Sequence, residues 1–129
     1  MLQQCDTEKP KVGYFDYEKW DVYRAALGFI VVVKDVVEKF PRGSAYLTDQ
    51  LQRAGTSVPL NIAEGAGEHS PDEKARFYRM AKRSATECAS ILDVCKQLQL
   101  IDEMQHIRGR ELLLRIVAML TKMSRTSVR

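Results

Sequence analysis

"SVPLNIAEGAGEHSPDEKARFYRMAKRS", residues 57–84, decides the fold. Upstream of it Leu47, Leu51, Ala54, Val58 and Ile62 recur at spacings of four, three, four and four, one face of an α-helix that begins near Ala45. Pro59 falls inside that helix. An interior proline removes a backbone hydrogen bond and crowds the preceding turn, at about 3 kcal/mol or more in a straight helix. A kink near Gly55 to Val58 is expected, where Gly55, Thr56 and Ser57 are small. Gly65 and Gly67 are then expected to end the helix, since glycine enters the left-handed cap conformation freely. Ser70 suits an N-cap, Pro71 the first helical position, and Asp72 and Glu73 the positive end of the next helix.

That third helix separates its residues by face. Phe77, Met80, Ala81, Ser84, Cys88, Ile91, Leu92, Cys95 and Leu98 share one arc at helical spacing. Arg76, Arg79 and Arg83, with Lys82 beside them, fall on the opposite side. Leu100 and Ile101 precede Asp102, which with Gln105 has the form of a capping box. A fourth helix runs from there to about Met123, with Leu112, Leu113, Ile116, Val117 and Leu120 inward. Arg108, Arg115 and Lys122 stand seven apart on another face.

In the other direction, Tyr17 to about Phe40 forms a first helix, with Trp20, Tyr23, Ala26, Leu27, Ile30, Val33 and Val37 as its apolar set. "FPRGS" stops it. Residues 1–13 are polar and aperiodic and are read as a flexible leader, 14–124 as one domain, and 125–129 as a tail. Four amphipathic helices joined by short connections make an all-α, antiparallel up-and-down four-helix bundle with a Pro-kinked second helix.

The totals agree with one domain. Hydrophobic residues make up 45% of the 129 and charged residues 29%, a globular balance. No apolar run reaches membrane-span length and the first residues lack a signal-peptide core, so a cytoplasmic location is expected. Cys5, Cys88 and Cys95 have neither disulfide-framework nor zinc spacing; the last two are read as reduced core residues. Charge is uneven: residues 1–70 carry 8 Lys/Arg against 10 Asp/Glu, a balance of −2, and residues 71–129 carry 12 against 7, a balance of +5. An anionic partner would meet the second half.

Glu103 and His106, in "EMQH", have the ExxH spacing of di-iron bundles. Such sites need that motif on two helices and a glutamate from each of the other two. It occurs once here, and the second histidine, His69, lies in a turn. With no phosphate loop and no nucleophile arrangement, no enzyme activity, metal or cofactor is expected.

The string "SVPLNIAEG" resembles the "S-I-P-x-N-I-A-E-G" signature of a bacterial four-helix-bundle family, the proteins encoded in intervening sequences of 23S rRNA genes. "FDYEKWDVYRAA" resembles that family's opening segment and "LTDQLQRAGTSVP" its approach to the signature. The resemblance spans about residues 15–123. The same fold group includes the accessory variability determinant (Avd) proteins of diversity-generating retroelements. The resemblance implies a homopentamer with a basic surface for RNA or DNA and, for the Avd branch, a reverse transcriptase partner. The alternatives are an intervening-sequence protein or a protein-interaction pentamer with no nucleic-acid role.

Arg76, Arg79, Lys82 and Arg83, with Arg108, Arg115 and Lys122, are the candidate phosphate contacts, through planar guanidinium forks and ammonium charges; the competing reading is a solvated face. Tyr78 beside them either stacks on a base or packs at a helix or subunit seam. Pro59, Asn61, Glu64 and Gly65 either form a polar site or serve the backbone and a neighbouring subunit.

Overall fold

The computed structural model describes residues 13–125. A single 3-10 turn, Asp16–Lys19, leads into α1 (Asp21–Val37); a second, Arg42–Ser44, leads into α2 (Ala45–Ala66). Helices α3 (Pro71–Gln97) and α4 (Glu103–Met123) complete a four-helix bundle. No strand occurs among the described residues, and no helix among them is long and apolar enough to cross a membrane. The leader and tail lie outside the described residues apart from Gly13 and Arg125.

Contacts between helices fix their directions. Lys74 Nζ donates to the carbonyls of Gly65 (3.4 Å) and Ala66 (3.1 Å), while Ser84 Oγ donates to Ser57 Oγ at 2.9 Å. As α3 advances, its partners on α2 recede, so the two run antiparallel. His106 against Asp93 and Glu103 against Lys96 show the same for α3 and α4. Gly109 lies against Phe29 and Val32, and Lys122 beside Trp20 to Val22, so α4 closes antiparallel on α1. Around the bundle α1 packs on α2 and α4, and α3 on α2 and α4.

The core runs along the bundle axis. Phe29, Val36, Leu51, Val58, Ile62, Leu92, Leu113, Ile116 and Leu120 are its large, fully buried side chains, each stabilising the fold by about 1.5–3 kcal/mol through removal from water. All five apolar positions expected on α2 are buried. Helix α1 departs from expectation. It buries Val22, Ala25, Ala26, Phe29, Val32, Val33 and Val36, whereas Trp20, Tyr23, Ile30 and Val37 are half-buried and Leu27 is exposed. The segment is apolar nearly all round, so periodicity fits either face and packing selects the one bearing Phe29. The helix also starts at Asp21, after the turn that contains Tyr17.

The glycines act differently from the expected caps. Gly67 has φ −84° and no described glycine has a positive φ. Gly65 lies inside α2, where a Cβ would stand 2.6 Å from Tyr78 Cε1 and 3.1 Å from Phe77 Cβ; its lack of a side chain lets α2 and α3 close together. The helix end is held instead by Lys74, whose ammonium meets the last carbonyls and the negative helix terminus. Gly109 plays the close-approach role on α4, with Leu92 Cδ1 at 2.6 Å from a Cβ there.

The left-handed cap occurs elsewhere. Gln99 has φ 61°, its N–H donates to Lys96 O (2.9 Å) and that of Leu100 to Cys95 O (2.8 Å). These two bonds form a Schellman motif with glutamine where glycine is usual. Ser70 and Asp102 cap as read from the sequence: Ser70 Oγ accepts from Glu73 N at 3.2 Å, and Asp102 and Gln105 form the reciprocal box at 2.7 and 2.9 Å.

Candidate nucleic-acid interface

Helix α3 carries the basic row. Its buried face is Ala75, Tyr78, Ala81, Ala85, Cys88, Ile91, Leu92 and Cys95; Phe77, Met80 and Ser84 are half-buried and Leu98 is exposed, against the sequence reading. Small alanines let α3 sit close to its neighbours and turn the arginines outward. Arg76, Arg79 and Arg83 are exposed and Lys82 is half-buried.

The four cations are not equivalent. Arg76 is engaged within α3: its Nε and Nη2 both donate to Glu73 Oε1 at 3.1 Å, and its guanidinium lies 4.6 Å from the Phe77 ring centroid. Arg79, Lys82 and Arg83 make no ion pair among the described residues, so their charge is available. Their row is bounded by Glu73 on one side and Glu87, one turn beyond Arg83, on the other.

Tyr78 does not stand beside them as a stacking platform. It is 5% exposed, its ring packs edge-on to Trp20 at 6.5 Å and over Gly65, and burial raises its hydroxyl pKa. Asn61 likewise turns to the backbone: Nδ2 donates to Ser57 O (2.9 Å) and Ser57 Oγ (2.8 Å), a polar cluster completed by Ser84. Ser57 is one of the residues preceding Pro59, and Glu64 is exposed at the far end of the same helix.

Helix α4 divides its cations between two sides. Lys122 lies beside Trp20, Asp21 and Val22 at the start of α1 and its cap; Arg115 and Arg108, seven and fourteen residues before it, share that side by helical spacing. Arg110, which the sequence reading passed over, faces α3 and lines a hollow with Thr86, Ala89 and Leu114. Thus the structure adds Arg110 to the α3 row and sets Arg108, Arg115 and Lys122 apart from it. Only the register of α4 against α3, fixed by His106 and Asp93, distinguishes the two sides.

The ExxH pair is committed to that register. Glu103 Oε1 lies 3.0 Å from Lys96 Nζ, and His106 Nε2 2.8 Å from Asp93 Oδ1, so both side chains reach across to α3. Among the described residues no three His, Cys, Asp or Glu side chains converge on a point. Cys88 and Cys95 are buried and free. Burial, with the Glu87 carboxylate adding to it, pushes the Cys88 thiol up to about 12, and burial also raises Cys95; Cys5 lies outside the described residues.

These features define an all-helical bundle that, among the described residues, carries a row of cations without ion pairs on α3, with Arg110 on the adjoining edge of α4 and a second such row on the other side of α4. The family profile described as "23S rRNA-intervening sequence protein" matches residues 18–122. The chain belongs to that family. A crystal structure from Bacteroides thetaiotaomicron, described as a protein with unknown function from the S23 ribosomal protein family, is similar in fold: TM-score 0.75 and 20% identity, covering 81% of this chain and 99% of that one. A search of curated proteins gives no match.

Proposed function

We propose that the protein is a non-enzymatic, cytoplasmic, homopentameric nucleic-acid-binding protein that engages RNA or DNA backbone with low sequence preference through Arg79, Lys82, Arg83 and Arg110. The observation that carries the reading is the set of cations on α3 free of ion pairs. A helix of a four-helix bundle needs no unneutralised cluster for stability. Repeated around a ring, even weak phosphate contacts sum to appreciable affinity, and contacts to phosphate position a chain without reading bases. The family's tie to rRNA genes favours RNA as the first ligand to test; a reverse transcriptase is a partner only under the retroelement branch of this reading.

Filter binding of an RNA duplex across a salt series tests it. Affinity should fall with salt, with a logarithmic slope of about −0.7 to −0.9 per phosphate contacted. Arg79→Glu with Arg83→Glu should abolish binding while helicity is kept, since exposed charges contribute little to stability. No binding by the natural chain at low salt, or full binding by the folded double variant, overturns the nucleic-acid role and leaves a protein-interaction assembly.

A further inference from the structure

Helix α4 has a second apolar seam that the bundle does not use. Its core face is Gly109, Leu113, Ile116 and Leu120. On the outer face Met104, Ile107, Glu111, Leu114 and Ala118 follow at spacings of three, four, three and four, the a/d repeat of a coiled coil. Met104 is 66% and Leu114 57% exposed. Arg108, Arg115 and Lys122 then occupy successive e positions, the rail beside the seam, and make no ion pair among the described residues. An ordinary surface helix has one apolar face and a polar back; this one has two.

The rail excludes pairing of the seam with itself. In an antiparallel pair of α4 helices e faces e, setting the cationic row against its own copy; in a parallel pair Arg115 meets Arg110 of the second copy. Its complement must be apolar and acidic. Along α2, exposed Tyr46 (61%) and Leu60 (59%) bracket a cleft of about 490 Å³ between α2 and α3 and, adjoining it, a hollow of about 540 Å³ lined by α2 alone. Among the residues that line them, Asp49 and Glu87 outnumber the one guanidinium, Arg53, which sits 3.4 Å from Asp49. Tyr46 to Leu60 spans fourteen residues, as does Met104 to Ala118, each roughly 21 Å of helix. Helix α1 fits less well, because its exposed Leu27 and Val31 lie among charges of both signs.

We infer that the outer seam of α4 docks in the α2–α3 cleft of a second copy of this chain, a helix-in-groove contact. It rests on the assembly part of the proposed function and specifies its interface. Because the two surfaces differ, the contact is heterologous: each copy offers one of each, and repetition closes a ring, as an odd-numbered assembly requires. It also assigns Arg108, Arg115 and Lys122 to subunit contact, leaving the α3 row for nucleic acid.

The test uses the full chain with Cys5→Ser. A seam variant, Leu114→Glu with Arg115→Glu, and a cleft variant, Asp49→Lys with Leu60→Lys, should each sediment as a monomer. Mixed one to one they should form a dimer and no more, because one seam and one cleft remain intact. Arg53 and Glu111 are the midpoints of the two surfaces and meet whichever way the helices run. Arg53→Cys with Glu111→Cys should therefore give interchain disulfides on mild oxidation, and neither single variant should. This second arm stands even if a charged variant fails to fold. An oligomeric natural chain whose mass the folded variants keep, a mixture that stays monomeric, or cross-linking by Glu111→Cys alone overturns the interface while the assembly stands. A natural chain that is monomeric at all concentrations overturns both.

Discussion

At Gly65 a single missing methyl group sets the distance between two helices. Alanine there would gain up to about 1 kcal/mol in helix propensity, yet its Cβ would fall 2.6 Å from a ring held by Trp20, an overpacking that costs about 1–3 kcal/mol. Gly65→Ala should therefore lower stability in urea titration, whereas Gly28→Ala, with nothing within 4 Å of its Cβ, should raise it by about 0.5–1 kcal/mol. The cysteines make the complementary case. The Cys88 thiol ionises only near 12, against 9.0 in an unfolded chain, so it favours the folded state fully below pH 9 and progressively less as pH climbs toward 12. In a Cys5→Ser chain neither Cys88 nor Cys95 should react with a thiol reagent at pH 8 until denaturant is added; fast reaction in native buffer would contradict their burial.

Among the elements, legibility in the sequence followed how local the governing physics is. Caps at Ser70 and Asp102 were readable because side chain and backbone partner lie three residues apart. The apolar face of α2 was readable because polar residues flank it. On α1 they do not, and only contact with Gly55 and Gly109 decides which apolar residues turn inward. The expectation of a left-handed glycine failed for a related reason: Gly65 answers to Tyr78, thirteen residues away, while the left-handed position went to Gln99, a residue with no compositional signal for it. Gln99→Gly should relieve roughly 1–2 kcal/mol of backbone strain and raise the melting temperature without changing helicity. Of the candidate site, the row on α3 was visible in the sequence, but Arg110 joins it only through the α3–α4 register.

Over the whole molecule, the two surfaces on which the functional reading rests respond to different perturbations. Nucleic-acid binding by the α3 row should weaken steeply with salt, whereas an interface with an apolar seam at its centre should persist. Sedimentation and filter binding in parallel at low and high salt should therefore separate release of nucleic acid from loss of assembly, and simultaneous loss of both would show that one depends on the other. The closing of α4 on α1 carries a consequence of another kind. The start of α1 and the end of α4 lie side by side, Trp20 to Val22 against Lys122 and Met123, while the α1–α2 connection at Pro41, Arg42 and Gly43 is exposed. A gene rearranged to begin at α2, run through α4, cross a short glycine-serine bridge and finish with α1 should encode the same bundle, since every helix keeps both its neighbours. The order in which the four helices leave the ribosome is thus separable from the shape they reach.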